Sequence, residues 1–260
     1  MRYIDVHCHL DGGHFGNLDL LFERLAKAGV EKVICSGFDL NSSEFSKEVA
    51  EKYEACYFTA GFHPTELKKF KEGDFEKIAS LATHPKCVAI GEIGLDYHYG
   101  DTDKTAQKEA FLTQLELACK LNLPVVIHSR DCAEDMLNIL KENTALLKNG
   151  FLLHCYSHST EIALEIEKLG GHFSFGGTST YSGSKKAKRT VSALQVGRLL
   201  TETDSPYLPP KSKYGTFPNT PESIPEILLN LAQIRGITEK EMSEIIWNNA
   251  HMLFKKLNNK

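Results

Sequence analysis

Short apolar segments alternate with longer amphipathic segments along the whole chain. Eight of the apolar segments are too short for helices and predict strands, at residues 3–6, 32–35, 55–60, 87–91, 123–127, 151–153, 172–175 and 198–201. Successive segments lie about 30 residues apart, which is the length of one strand, one crossover helix and two loops. The pattern therefore predicts eight consecutive strand–helix units.

The segments between the predicted strands carry the signals of helix starts. Asn17 is placed to cap a helix whose apolar residues recur on one side. Asp131 with Glu134, and Thr238 with Glu241, have the spacing of a capping box. We therefore expect a helix to begin at each of these three places.

The strand–helix units follow one another without a linker, a low-complexity block or a sequence repeat. This continuity favours a single domain over residues 1–260. An α/β chain with eight such units is typical of a (β/α)8 TIM barrel. A doubly wound open sheet is the alternative, but the chain has neither a G-x-G-x-x-G nor a Walker sequence. The barrel is therefore the predicted fold.

Composition narrows the class of protein. The 260 residues are 42% hydrophobic and 25% charged, as in globular proteins, and the net charge of −4 provides no overall basic field for nucleic acid. The seven cysteines are odd in number and contain no Cys-x-x-Cys pair, which indicates reduced thiols. Because we find no export leader and no apolar run as long as a membrane span, we expect a cytoplasmic protein that does not enter a membrane.

Side chains that can bind a metal recur where the predicted strands end. His7 and His9 are two residues apart on an extended segment, so their imidazoles point to the same face. The later strand ends carry His63, Glu92, His128, His154 and Asp204. Because the carboxyl ends of all barrel strands share one rim, we expect these side chains to meet at the mouth of the barrel.

The strand-end residues favour two divalent cations over one structural zinc, which takes only four ligands. The candidate ligands are His7, His9, Glu92, His128, His154 and Asp204. Glu92 is the best candidate to bridge both ions with its two oxygens. Nitrogen and oxygen donors of this kind admit zinc, manganese or magnesium, and the sequence does not select among them.

Six motifs resemble those of the TatD family of metal-dependent deoxyribonucleases, in order and in register over essentially the whole chain. They are Asp5-Val6-His7-Cys8-His9, Gly61-Phe62-His63-Pro64, Gly91-Glu92-Ile93-Gly94-Leu95-Asp96-Tyr97, Pro124-Val125-Val126-Ile127-His128-Ser129-Arg130, His154-Cys155 and Glu202-Thr203-Asp204-Ser205-Pro206-Tyr207-Leu208. The resemblance implies a TIM barrel of the metallo-dependent hydrolase, or amidohydrolase-like, type. It also implies hydrolysis of phosphodiester bonds in DNA, typically single-stranded and from the 3′ end.

The resemblance further implies a role for each matching residue. One metal ion would be held by His7, His9 and Asp204, the second by His128 and His154, with Glu92 bridging the two. The phosphate pocket would be lined by His63, Asp96 and Arg130. Glu92, Asp204, His63 and Arg130 are thus the predicted catalytic residues.

The expected chemistry is in-line displacement at phosphorus by a hydroxide held between two metal ions. Asp204 is placed to orient the nucleophile and accept its proton. Arg130 is placed to grip a non-bridging phosphate oxygen or, alternatively, to form a salt bridge at the rim. Since imidazoles bind metal only when neutral, we expect activity to fall below about pH 6.5.

Several features near the predicted site concern the substrate. His98 stands where the family usually has an aromatic, Tyr156-Ser157-His158 replaces the usual Phe-Ser-Gly, and residues 211–221 replace the usual basic loop. Residues 185–189 carry four positive charges that either track a DNA strand or form a solvated helix start. Loop aromatics that either stack on bases or pack inward are Tyr207, Tyr214 and Phe217.

Two other classes of function stay open. One is an amidohydrolase-like enzyme acting on a small ester, amide or phosphoester; many such enzymes bridge their metals with a modified lysine, whereas this chain offers Glu92 and no lysine nearby. The other is a non-catalytic binding scaffold, against which the complete ligand set argues. The sequence patterns indicate no obligate protein partner, so a monomer is the default expectation.

Overall fold

The computed structural model describes residues 1–258 and contains one eight-stranded parallel sheet in the order β1 to β8. The strands are β1 Tyr3–Cys8, β2 Val30–Ser36, β3 Cys56–Ala60, β4 Cys87–Asp96, β5 Val125–Arg130, β6 Phe151–Leu153, β7 His172–Phe175 and β8 Leu199–Thr201. Each predicted strand is present. The (β/α)8 TIM barrel predicted from the spacing of the apolar segments is confirmed.

Helices connect successive strands, and two more follow the last strand. They are α1 Gly12–Phe15, α2 Leu18–Lys27, α3 Leu40–Lys52, α4 Asp74–Ala82, α5 Lys104–Leu121, α6 Ala133–Glu142, α7 Thr160–Lys168, α8 Lys185–Ala193, α9 Ile224–Arg235 and α10 Glu239–Leu253. Asn17 caps α2, and Thr238 forms a capping box with Glu241 at the start of α10, as predicted. None of the helices in residues 1–258 combines the length and the apolar character that crossing a bilayer requires.

The capping box predicted at Asp131 is wrong, although a helix does begin nearby. Asp131 adopts a positive φ of 53°, and His98 Nδ1 donates a hydrogen bond to its carboxylate at 2.9 Å. The residue that precedes α6 is Cys132, whose side chain makes no capping hydrogen bond. The contact with His98, which is distant in sequence, therefore takes the carboxylate away from the helix end.

The first and last strands of the barrel are held together by side-chain and backbone hydrogen bonds. The Asp204 amide donates to the His7 carbonyl at 3.0 Å. The buried Asp5 carboxylate accepts hydrogen bonds from the Thr203 amide at 3.0 Å and from the Thr203 hydroxyl at 2.5 Å. These contacts hold the end of β1 beside the segment that follows β8, which brings residues from the two ends of the sequence into one site.

Strands β4 and β5 approach so closely beside the site that glycine is needed at two positions. Gly94 has a φ of 140°, and a Cβ at this position would collide with the carbonyl oxygen of His128. A Cβ at Gly91 would lie 2.7 Å from the Cβ of Val126. Because Gly94 and His128 are partners in the strand register, this close approach determines where the His128 imidazole lies relative to β4.

Candidate metal centre

The strand-end residues predicted to bind metal converge on the side chain of Glu92, which is buried at the mouth of the barrel. Its Oε2 atom lies 3.4 Å from His7 Nε2 and 3.6 Å from His9 Nε2. Its Oε1 atom lies 2.8 Å from His154 Nε2 and 2.9 Å from His128 Nδ1. The two oxygens of one carboxylate therefore face two different pairs of imidazoles, which is the arrangement that a bridging ligand requires.

Asp204 completes the first pair of imidazoles. Its Oδ1 atom lies 3.6 Å from His7 Nε2 and 3.5 Å from His9 Nε2. Ligand atoms of these three residues lie within 4.8 Å of one another, which is close enough to hold one ion. The structure thus brings together all six residues predicted as metal ligands, and all of them except the fully buried His7 line a cavity of about 290 Å³.

The hydrogen bonds of His9 and His128 determine which ring nitrogens present lone pairs. His9 Nδ1 lies 2.9 Å from the Ser36 carbonyl oxygen, which only accepts, so Nδ1 carries the proton and Nε2 presents a lone pair. His128 Nε2 lies 2.9 Å from Asp96 Oδ2, so Nε2 carries the proton and Nδ1 presents a lone pair. Both lone pairs point at carboxylate oxygens. Acceptors facing acceptors in a buried site need a positive charge between them, either a second ring proton or a metal ion, and the nitrogen and oxygen donors fit a divalent metal ion.

His63 lies in the same cavity, but its hydrogen bonds favour the opposite role. The Thr65 amide donates to His63 Nδ1 at 3.2 Å, and the Thr65 hydroxyl lies 2.7 Å from the same nitrogen. The neutral ring therefore carries its proton on Nε2, which lies 3.3 Å from Glu92 Oε1. The structure thus presents neutral His63 as a hydrogen-bond donor toward the cavity. Its ring also lies close enough to Glu92 and His128 for the three residues to hold an ion.

The carboxylates at the centre are ionised because the imidazoles outweigh burial. Burial alone would raise the pKa of Glu92, but the imidazoles of His154, His63 and His128 hold that pKa well below its ordinary value. Burial likewise opposes ionisation of Asp204, yet the hydrogen bond and the charge of His9 and the charge of His7 lower its pKa to about 2. The centre therefore carries two negative charges across the ordinary pH range.

The imidazoles respond to these charges in different ways. Burial lowers the pKa of His7 and of His63. For His9, His128 and His154, burial acts in the same direction, but the facing carboxylates prevail and raise the pKa. The electrostatic field that favours a proton on these rings is the field that attracts a divalent cation in its place.

The structure identifies supporting residues to which the sequence analysis gave no role. Ser36, the last residue of β2, holds His9 through its carbonyl oxygen, and its hydroxyl lies 3.0 Å from His7 Nδ1. Glu202 is fully buried, and its Oε2 lies 3.7 Å from His154 Nδ1. Both residues stand at or next to a strand end, which is the one signal in the sequence that points to them. Neither has a residue type or a spacing that distinguishes it from a packed polar side chain.

Other residues singled out from the sequence lie around this centre. Asp96, expected in the phosphate pocket, is buried behind His128. Arg130 is exposed at the rim, with its guanidinium carbon 5.9 Å from the centre of the Tyr99 ring, and it does not line the cavity. Exposed loop side chains beside the mouth, each more than half accessible, are Tyr207, Tyr214 and Phe217.

Comparison with known proteins agrees with the motifs. A family model described as TatD related DNase matches residues 4–255. A Bacillus subtilis protein named metal-dependent hydrolase YabD is 37% identical over 252 residues, which cover 96% of this chain and 98% of that protein. The crystal structure of YjjV, a TatD homologue from Escherichia coli K12, superposes with a TM-score of 0.92 at 33% identity and covers 98% of both chains.

A more distant structure supports the same grouping. A hydrolase of the TatD family from Entamoeba histolytica superposes with a TM-score of 0.85 at 25% identity, again over 98% of each chain. The matches extend across the strand ends that carry the imidazoles and carboxylates described above. This chain therefore belongs to the TatD family of metal-dependent hydrolases.

Proposed function

We propose that this chain is a deoxyribonuclease that hydrolyses phosphodiester bonds of single-stranded DNA from the 3′ end and uses two divalent cations. The observation that best supports this proposal is the position of the Glu92 carboxylate, whose two oxygens face separate pairs of imidazoles. The description of the matching family as a DNase supports the choice of DNA.

The cations would be held by the six predicted ligands. His7, His9 and Asp204 form one side of the centre, His128 and His154 form the other, and Glu92 lies between them. Zinc, manganese and magnesium all suit nitrogen and oxygen donors to different degrees. When bound, such ions lower the pKa of a water molecule and neutralise charge on phosphate oxygens.

The chain's own side chains would then orient the phosphate and move the proton. His63 Nε2–H, which points into the cavity, donates a hydrogen bond to a non-bridging oxygen of the scissile phosphate. Asp204 keeps the attacking water oriented and accepts its proton. Arg130, exposed at the rim, contacts a phosphate of the same strand outside the cavity.

The test is a time course of products from a 5′-labelled single-stranded DNA oligomer. It is run with magnesium, manganese or zinc, with a chelator, and with the variant Glu92→Ala. The control is Glu66→Ala, which changes another carboxylate that lines the same cavity. We expect a metal-dependent ladder that shortens from the 3′ end, persists in the control and disappears in Glu92→Ala.

A different outcome of this experiment would favour a small molecule over DNA as the substrate. The cavity of about 290 Å³ is large enough for a single ester or phosphoester group with its substituents. If the oligomer stays intact with every metal while Glu92→Ala loses bound metal, the nuclease proposal is wrong. The metal centre would then act on a small ester, amide or phosphoester. If wild-type protein binds no divalent metal, both proposals fail.

A further inference from the structure

A second and larger cavity of about 740 Å³ opens at the mouth of the barrel beside the metal centre. Its walls come from the segment after β6, from the segment between β7 and α8 and the first turns of α8, and from residues 211–214. The aromatic and basic residues in its lining are Tyr156, His158, Tyr181, Lys186, Lys211 and Tyr214. We call it the tyrosine–lysine groove.

The aromatic walls of the groove are fixed in place. The Tyr156 hydroxyl donates to the Ser159 carbonyl at 2.7 Å, and the Tyr181 hydroxyl donates to the Pro209 carbonyl at 2.8 Å. Tyr214 packs against Tyr181 edge to face, with ring centres 5.8 Å apart. Because the two hydroxyls are already bonded to the backbone, what these side chains offer a ligand is the apolar ring surface.

The charged side chains that line the groove are all positive. Its lining includes Lys186 and Lys211 and no Asp or Glu, whereas the cavity at the metal centre is lined by four acidic side chains. Lys186 Nζ donates to the Ser157 carbonyl at 3.0 Å, which holds the ammonium at the wall. Lys211 Nζ makes no hydrogen bond or ion pair with any other side chain or carbonyl in the described residues 1–258. The groove therefore suits an anionic ligand with flat rings, which describes a nucleotide.

A hydrogen bond links the groove to the metal centre. His158 Nε2 lies 2.7 Å from the Ser129 hydroxyl, and Ser129 follows the candidate ligand His128 on β5. His158 and Tyr156 both line the groove. This wall of the groove therefore adjoins the metal centre, within reach of a DNA strand that has one phosphate there.

We propose that the tyrosine–lysine groove binds the nucleotide next to the scissile phosphate, with its base against Tyr181 and Tyr214 and its phosphate near Lys186 and Lys211. The proposal rests on the proposed function, because it takes single-stranded DNA as the substrate. In this proposal the groove makes the enzyme prefer a DNA strand over a small phosphodiester, and the metal centre carries out the hydrolysis of both.

The first experiment removes the positive charges of Lys186 and Lys211 and keeps a hydrogen-bond donor for the Ser157 carbonyl. The test variant is Lys186→Gln with Lys211→Ala, since an amide can still donate to the Ser157 carbonyl. The matched control is Lys148→Gln with Lys27→Ala, which removes two exposed lysines at the opposite end of the barrel. Binding of a labelled six-nucleotide thymidine oligomer is measured by fluorescence anisotropy in chelator, so that no cleavage occurs.

We expect the test variant to bind the oligomer more weakly and with a smaller dependence on salt. Each phosphate contact on a single strand contributes about 0.7 to the slope of log affinity against log salt, so two contacts should lower the slope by about 1.4. With metal present, kcat/KM for the oligomer should fall about tenfold or more, while kcat/KM for bis(4-nitrophenyl) phosphate should stay unchanged. The control should match wild type in all of these measurements.

The second experiment locates the base. An oligomer with 5-iododeoxyuridine near its 3′ end is irradiated in complex with the full chain, and the crosslinked peptide is identified by mass spectrometry. Crosslinks to Tyr181 or Tyr214 support the proposal. Crosslinks to Tyr207 or Phe217 instead would overturn it and place the strand on the other side of the mouth.

The outcomes separate this proposal from the nuclease proposal. If the test variant matches the control in salt slope and in kcat/KM, or if wild type does not bind the oligomer in chelator, the groove proposal is overturned, whatever the enzyme hydrolyses. If the oligomer binds in the groove but no metal supports its cleavage, the groove is a binding site for single-stranded DNA, and the nuclease proposal fails together with the assignment of the groove to a substrate nucleotide.

Discussion

The metal centre and the tyrosine–lysine groove lie side by side at the mouth of the barrel, but they are built from different parts of the fold. The metal centre consists of buried side chains at strand ends, where facing acceptors require a cation. The groove consists of side chains on loops and on α8, where two lysines lie beside aromatic rings. The first arrangement suits a reaction at one phosphorus atom, and the second suits recognition of the surrounding polymer.

This difference matters for how the two regions respond to change. The positions of the metal ligands depend on strand register and on the close approach of β4 to β5, so errors of even one residue would remove them from the site. The groove depends on loop packing, which tolerates substitution. We therefore expect changes at the metal centre to affect every substrate and changes in the groove to affect only the polymer.

The largest effect is expected from Asp204→Asn, which removes one of the two negative charges at the metal centre. Loss of several kcal/mol of metal-dependent stabilisation should lower kcat on the order of 10³-fold. The decrease should be similar for a six-nucleotide oligomer and for bis(4-nitrophenyl) phosphate, in contrast to the groove variant. Metal content should also fall when measured by mass spectrometry.

The matched control for this change is Asp101→Asn, an exposed carboxylate that pairs with Lys68 on the rim. It should retain wild-type kcat for both substrates. A decrease for Asp204→Asn that is confined to the oligomer would contradict the separation of reaction from recognition.

Gly94→Ala should strain the contact between β4 and β5 on which the metal centre depends. A positive φ of 140° disfavours any residue with a Cβ, and the added methyl would collide with the His128 carbonyl. Together these effects should lower the free energy of unfolding by about 4 kcal/mol. Urea unfolding followed by circular dichroism measures the change.

Gly100→Ala is the control for this substitution, because no heavy atom lies within 4 Å of the position where its Cβ would be. We expect its urea midpoint to stay close to that of wild type. Equal midpoints for Gly94→Ala and Gly100→Ala would show that β4 can move away from β5 without cost.

His172 should make stability depend on pH without involving either region, because it lies at the far end of β7. Burial lowers its pKa to about 4, and the charge of Arg198 acts in the same direction. An unfolded histidine titrates near pH 6.5, so between pH 6.5 and pH 4 the unfolded chain binds more protons. The free energy of unfolding should therefore fall as pH falls through this range, by about 3 kcal/mol in total.

The measurement compares urea midpoints at pH 7 and pH 4.5 for wild type and for His172→Asn. The variant should lose less stability on acidification than wild type, while the exposed-histidine variant His14→Asn should lose as much as wild type. If His172→Asn and wild type lose equal stability, the imidazole is not held neutral in the fold.

Glu202→Gln should produce the smallest of these effects. The Glu202 carboxylate is placed to orient His154 through the outer ring nitrogen, and loss of such a partner typically weakens metal affinity 10–100-fold. Competition with a chromogenic chelator measures the affinity directly. Glu244→Gln, on the exposed side of α10, is the control. Metal affinity equal to that of the control would assign Glu202 a packing role only.

Much of the fold could be predicted from the sequence because barrel strands are buried on both sides and therefore appear as apolar runs at regular spacing. All six residues of β1 and all ten of β4 are buried, which explains why these strands were evident. The capping box at Asp131 was predicted incorrectly, since the contact of Asp131 with His98 joins two loops and leaves no local signal.

The candidate metal ligands could also be picked out from the sequence, because a polar residue at the end of an apolar run is costly unless it has a partner. Their convergence follows from the barrel alone. The sequence could not reveal that His63 carries its proton toward the cavity while His9 and His128 present lone pairs. That difference depends on hydrogen bonds to Thr65, Ser36 and Asp96, which local patterns do not encode.

The sequence by itself therefore determined the barrel, the family and the set of side chains at its mouth, because strand burial and strand-end chemistry recur at fixed spacing. Only the tertiary structure decided how Glu92 divides its two oxygens, which ring nitrogens are free, and that three separate segments form the tyrosine–lysine groove. The physical reason is that these features arise from packing between segments far apart in the chain. No local pattern of apolar and polar residues specifies such packing.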